Sequence, residues 1–402
     1  MRVLYHHRIR GIDGQAVHVR ALLQALVAEG HEVREVALVP VFGPAADSTA
    51  GRDQGAHSSE HRNRPLKWID RLPRPMLELA EALYSLIAPP MIARAATRFH
   101  PDFIYERYAF GNVGGVLAGR RLGIPLVLEV NAPLADELAR THGVFFAALA
   151  RRLEALALRR ADLICVVSEV LRGIVLAGGA RQGRVLVVPN GVDTQTFRPL
   201  DPERRAAVRR DLGLPEQENG QTLVLGFAGF VRKWHRLDLV LACLARPDLA
   251  GARLVVVGEG PHSQALARRA AELGIADRVL LLGARPHEEM PGLLAALDVA
   301  LLPGIPCYAS PLKLYEYMAV GLPVVAPDQE NLREVLHHRE NALLFAPDSC
   351  EALTAALMEL KNDPDLRRRL GANARAAVLG EGRSWRGVAR RVVDEVNSLC
   401  GP

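Results

Sequence analysis

Along this 402-residue chain, short apolar runs alternate with stretches of helical period. Residues 2–5 read as a strand, followed by a polar loop over 6–15 that holds Gly11 and Gly14. A helix to Gly30 follows, with Val19, Leu22, Leu23, Leu26 and Val27 on one face. Further strands are predicted at 33–39, 103–105, 125–130, 163–167 and 185–188, with helices over about 112–122, 133–160 and 169–178 between them. Residues 44–64 read as a long loop, and 66–99 as a helical stretch interrupted at Pro73, Pro75, Pro89 and Pro90. After a proline-rich break at 193–220 the same grammar restarts, with strands at 222–228, 253–257, 279–282 and 299–302. Strand–helix alternation of this kind builds parallel, doubly wound sheets. The expectation is therefore an α/β chain of two Rossmann-like halves, 1–199 and 200–380. A last segment, 381–402, carries a helix that crosses back to the first half.

Hydrophobic residues at 49% and charged residues at 24% describe a globular chain, and a net charge of +5 is mild. No aromatic pattern accompanies the basic residues, so no nucleic-acid partner is expected. Cys165, Cys243, Cys307, Cys350 and Cys400 are scattered without metal spacing, which points to a reducing compartment. Met1 leads straight into a strand and no run of about eighteen apolar residues occurs, so a cytoplasmic protein without a membrane span is expected. The apolar face within 66–99, flanked by Arg71, Arg74, Arg94 and Arg98, either packs on the sheet or rests on a membrane surface. Its prolines favour packing.

The stretch 310–327 is the most chemically suggestive. Ser310 reads as a helix cap, Pro311 as the first helical residue, Gly321 as a left-handed stop, and Val324-Val325-Ala326 as a buried strand. An irregular loop over 303–309 thus presents a helix N-terminus, a ready site for an anion. Lys313 sits in the first turn, where acidic residues are favoured, and Glu316 follows one turn deeper. A nucleotide's phosphates on Lys313 and its ribose on Glu316 would explain the pair. So would an ordinary solvated ion pair on a helix surface.

Several motifs, in order, resemble retaining glycosyltransferases of family 4. They are the 11–15 loop, His31-Glu32-Val33, Pro189-Asn190-Gly191-Val192-Asp193, Val257-Gly258-Glu259-Gly260-Pro261 and Leu314-Tyr315-Glu316-Tyr317-Met318-Ala319-Val320-Gly321-Leu322-Pro323. The resemblance implies a GT-B fold: two Rossmann-like domains facing a cleft, acceptor on the first and nucleotide sugar on the second. It implies that Glu316 binds the ribose and that Ala309-Ser310-Pro311-Leu312 form the phosphate turn, with Lys313 adding charge. Tyr308 falls where the family has its first motif glutamate. Gly229, Gly258, Gly260 and Gly14 belong with the donor. The family's phosphate-clamping lysine aligns with His235 and its arginine with Phe230, which leaves Arg232, Lys233 and Lys313 as substitutes. Histidine is only partly charged near neutrality and clamps more weakly. On the first domain, Glu129 and Asn131 stand near the family's catalytic histidine. Gly11, Asp13, Gln15, Glu106 and Arg107 are implied on the acceptor side.

The implied activity is transfer of a hexose, from a donor that is UDP-linked on family frequency, to a hydroxyl of a glycan, glycolipid or small molecule. It proceeds with retention, without a cofactor, in polysaccharide or glycoconjugate assembly, at most peripherally on the inner membrane face. Asp363-Pro364-Asp365 reads as a turn and helix cap, so no metal site is expected. His6, His7 and His18 are either polar strand-end residues or substrate contacts. Two alternatives stay open: a sugar-nucleotide epimerase of the same architecture, and a non-catalytic nucleotide-binding relative.

Overall fold

A computed structural model describes residues 1–9, 14–42, 73–141, 143–215, 222–380 and 383–400. Gly11, Asp13 and the 44–64 loop lie outside these. The chain divides into two compact units, Met1–Pro189 with Trp385–Pro402, and Asn190–Ser384. The boundaries expected from the sequence, 199/200 and 380/381, lie ten and four residues from these.

The first unit holds β1 (Arg2–His7), β2 (Glu32–Ala37), β3 (Phe103–Arg107), β4 (Leu126–Val130), β5 (Leu163–Val166) and β6 (Val185–Val187) in one parallel sheet, ordered β2-β1-β3-β4-β5-β6. The second holds β7 (Val224–Ala228), β8 (Arg253–Val257), β9 (Val279–Leu281), β10 (Val299–Leu301), β11 (Val324–Pro327) and β12 (Ala342–Phe345), parallel and ordered β12-β11-β10-β7-β8-β9. Central strands such as Leu-Val-Leu-Glu-Val and Val-Leu-Gly-Phe-Ala are buried throughout, because helices cover both faces. Strand order reverses at β1/β3 in the first sheet and at β7/β10 in the second. In open parallel sheets ligands bind beyond the carboxyl ends of the strands at such reversals.

The terminal helix Trp385–Cys400 belongs to the first unit, where Ala389, Val392, Val393 and Val396 join the core with Val19, Leu22 and Leu26. Arg386 and Arg390 pair with Glu29 beside it.

Three sequence expectations need correction. Pro89 and Pro90 do not interrupt the helix: it runs Arg74–Phe99 through both, with Pro73 and Pro75 at its start, and residues 66–72 lie outside the described residues. Tyr84, Ser85, Ala88, Ile92 and Ala96 are buried along it, and a Cβ on Gly114 would come within 2.4 Å of the Ala88 Cβ. Close packing against the helix Gly114–Leu122 holds the chain helical across the missing hydrogen bonds. This helix is also, among the described residues, long and apolar enough to cross a membrane by length and composition, against the expectation that no such segment occurs. Finally, the single helix expected over 133–160 is two, Leu134–Thr141 and Ala147–Arg160, with Gly143 left-handed between them (φ 71°).

Candidate functional site

In the second unit, the reversal point brings together the residue after β7 and the loop after β10. Helix Leu312–Ala319 begins one residue later than expected. Pro311 is its N-cap in extended conformation, and no side chain caps it. Ser310 does not cap; its hydroxyl meets the Tyr315 hydroxyl at 2.8 Å. The first backbone N–H groups are therefore left without a capping side chain, which is what an anion needs. The stop is as predicted: Gly321 is left-handed (φ 77°), and Leu322 N–H donates to the Tyr317 carbonyl.

Two asparagines fix the loop before the helix. Asn190 donates to the Ser310 carbonyl (2.5 Å), and Asn331 to the Ala309 carbonyl (2.7 Å). Neither contact was legible in the sequence, where Asn190 stands only as part of the Pro-Asn-Gly-Val-Asp motif and Asn331 carries no signal. Tyr308 lies half-buried in this loop.

Lys313 turns inward. Its Nζ lies 3.9 Å from the Phe227 ring centroid and 3.5 Å from His235 Nε2. A Cβ on Gly229 would sit 2.8 Å from that Nζ, so the glycine leaves room for the ammonium group. No carboxylate is paired with Lys313 among the described residues, and both Lys313 and Glu316 are half-buried, so an exposed, solvated Lys313–Glu316 pair is not what forms. Burial lowers the Lys313 ammonium to about 7, with Glu316 opposing; burial raises the Glu316 carboxyl to about 7, with Lys313 opposing. The cluster is poised for charge it does not itself contain. His235 is a weaker clamp than the sequence suggested, since burial, Lys313 and Arg232 push it down to about 2 and keep it neutral. Arg232 is better placed: its guanidinium lies 4.8 Å from the Phe230 ring centroid and 4.7 Å from that of Trp234. Phe230, standing where the family has an arginine, thus braces one. Lys233 is exposed.

Gly258 and Gly260 have a structural reason to be glycine. A Cβ on Gly258 would lie 2.2 Å from the Gly229 carbonyl oxygen, and one on Gly260 2.3 Å from that of Val231. They let the loop after β8 pack on the loop that carries Arg232.

In the first unit, β1, β3 and β4 end together. The Glu129 carboxylate is buried and meets Arg107, Asn131, His18 at 3.0 Å and the Tyr5 hydroxyl at 3.4 Å. Burial alone would raise it, but His18, Arg107 and Asn131 hold it well below the usual carboxylate range. So enclosed, Glu129 orients its neighbours instead of meeting a substrate, a correction to its expected catalytic place. Trp385 of the terminal helix sits edge-on to His18 at 5.0 Å. Successive strand residues face opposite ways, so Glu106 points away from Arg107. It is fully buried, bonded to His6 (2.6 Å), Asn112 and the Gly115 N–H, and is not an acceptor contact. His7 is likewise buried, against Glu35 at 2.6 Å. The carboxylate partners absent near these histidines in sequence come from other strands. Gly14 and Gln15 are exposed at the start of helix Gly14–Ala28.

Paired Rossmann-like units, the second with an uncapped cationic helix end at its reversal point, define the GT-B class of fold. The chain belongs to glycosyltransferase family 4: residues 12–196 match "Glycosyltransferase Family 4" and 211–377 "Glycosyl transferases group 1". It is 30% identical to the 2-deoxystreptamine glucosyltransferase of Streptomyces kanamyceticus over 68% of each chain. It is 29% identical to the GDP-mannose-dependent alpha-(1-6)-phosphatidylinositol monomannoside mannosyltransferase of Mycobacterium tuberculosis, over 58% of this chain and 61% of that one. The match thus spans less than two thirds of that relative's length. Among solved structures, Anabaena HepE in complex with UDP superposes with a TM-score of 0.73 at 19% identity, covering 99% of this chain and all of the other.

Proposed function

We propose that the protein transfers a hexose from a nucleoside-diphosphate sugar to a hydroxyl acceptor, with retention and without a divalent ion. The carrying observation is the half-buried Lys313, whose ammonium turns onto the Phe227 ring and His235 without a carboxylate partner among the described residues, beside an uncapped helix start. As the glycosidic bond to the diphosphate breaks, negative charge grows on the leaving group. Lys313, the braced Arg232 and the N–H groups of residues 312 and 313 would meet that charge, and Glu316 would accept hydrogen bonds from the ribose hydroxyls. UDP is the nucleotide favoured here, supported by the HepE complex; the mycobacterial relative is named as GDP-mannose-dependent. Arg107, Asn131 and His18, oriented by Glu129, are proposed on the acceptor side.

Release of UDP or GDP from candidate donors, measured with and without acceptor lipid and with EDTA, tests this. Release that needs acceptor and survives EDTA is expected. Interconversion without acceptor would indicate the epimerase, and binding without turnover the non-catalytic relative.

The acceptor is proposed to be a glycolipid met at a membrane surface. Met76, Leu79, Leu83, Leu86 and Ile87 are exposed along Arg74–Phe99, and Phe145, Phe146 and Leu149 extend the patch. Glu78 accepts the N–H groups of Phe145 and Phe146 (3.0 and 2.9 Å), fastening the two elements into one surface. Patches of this kind mark interaction sites, and Arg94 and Arg98 at the end of the helix suit anionic headgroups.

A further inference from the structure

Cys243 and Cys350 lie 107 residues apart, yet their sulfurs are 3.2 Å from one another. Cys243 is fully buried in helix Leu237–Leu244, among Leu239, Val240 and Leu244. Cys350 is the first residue of helix Cys350–Asn362 and half-buried, so one face of the pair reaches solvent. The same two segments are tied again by the ion pair of Arg236, just before the first helix, with Asp348, just before the second. Both thiols are free.

We propose that Cys243 and Cys350 are a redox modification site, a dithiol that a low-molecular-weight disulfide converts into an intramolecular disulfide joining the two helices. The sulfurs need to close by only about 1 Å to reach bonding distance. Burial holds the Cys243 thiol up at about 12, so the accessible Cys350 reacts first. Its thiolate attacks one sulfur of glutathione disulfide, forming a mixed disulfide and expelling one glutathione thiolate. Cys243 then attacks the Cys350 sulfur, passing its proton to the second departing glutathione. Two protein thiols are oxidised, and one disulfide is reduced to two thiols.

The test uses the full chain carrying Cys307→Ser and Cys400→Ser, incubated with graded glutathione disulfide and mapped by non-reducing peptide mass spectrometry. Loss of both thiols, with the Cys243 and Cys350 peptides joined and lighter by two hydrogens, is expected, with Cys165 left reduced and full reversal by dithiothreitol. Cys243→Ser should stop the reaction at a stable glutathione adduct on Cys350. The proposal is overturned if the chain with both cysteines stops at that same adduct, or if both thiols survive an excess of oxidant. Because the parent chain gives the decisive reading, a poorly folding serine variant does not blunt the test.

Discussion

At the residue scale, the signature of this protein is an ion pair that declines to form. Lys313 and Glu316 occupy adjacent turns of one helix, but each is displaced toward neutrality by burial, both to about 7. Glu316 binds more protons folded than unfolded between its ordinary value and pH 7, so its contribution to stability falls as pH rises across that window. Lys313 binds fewer protons folded between pH 7 and its ordinary value, so its contribution rises there. Ligand-free protein should therefore show a shallow stability minimum near pH 7, on the order of a few degrees in Tm. Lys313→Met with Glu316→Gln should flatten it in a thermal-denaturation pH series. In the proposed donor complex, the diphosphate would return a counter-charge to Lys313. Lys313→Ala should accordingly weaken UDP binding about tenfold or more by calorimetry, the scale of one charge-assisted contact. Unchanged affinity would remove Lys313 from the site.

At the scale of elements, the end of the helix at the site was legible because local chemistry sets it: Gly321 had to be left-handed, and Pro323 could not continue a helix; its start was not, since Ser310 turns its hydroxyl to Tyr315 and leaves Pro311 as the N-cap. What fixes the loop before the helix was not, since Asn190 reaches Ser310 across 120 residues and Asn331 reaches back 22. His18 and Glu129 likewise meet only through the sheet, and nothing in their spacing announces it. The glycines show the same divide. Gly260 is placed with the donor by the family resemblance, but the fold needs it to seat one loop on another. Gly260→Ala should cost about 1–3 kcal/mol and lower UDP affinity by displacing the Arg232 loop. At Gly14 an added Cβ meets nothing within 4 Å, so Gly14→Ala should stay within about 0.5 kcal/mol of the parent. Parallel melts and UDP titrations check both, and a harmless Gly260→Ala would refute the loop contact.

For the whole molecule, the open question is where the acceptor is met, and the first unit supplies the relevant physics. A fully packed helix would bury most of its apolar surface; Arg74–Phe99 leaves Leu86 at 68% and Ile87 at 53% exposed, with Phe145 at 67% on the adjoining turn. Its inward face is nonetheless spoken for by Tyr84, Ala88, Ile92 and Ala96. A helix anchored along one face and apolar on the other suits shallow insertion at an interface better than a span, because crossing the bilayer would strip those four residues from the core. Binding should then depend on both apolar area and anionic lipid, and weaken with salt. Leu86→Asp with Phe145→Asp should reduce co-sedimentation with phosphatidylglycerol vesicles by tenfold or more while leaving UDP affinity unchanged, since neither residue belongs to the second unit. Arg94→Glu with Arg98→Glu should cut binding to anionic vesicles and spare the weak binding to neutral ones. If the aspartate variant still sediments as the parent does, the patch serves another purpose and the membrane reading fails without touching the nucleotide site.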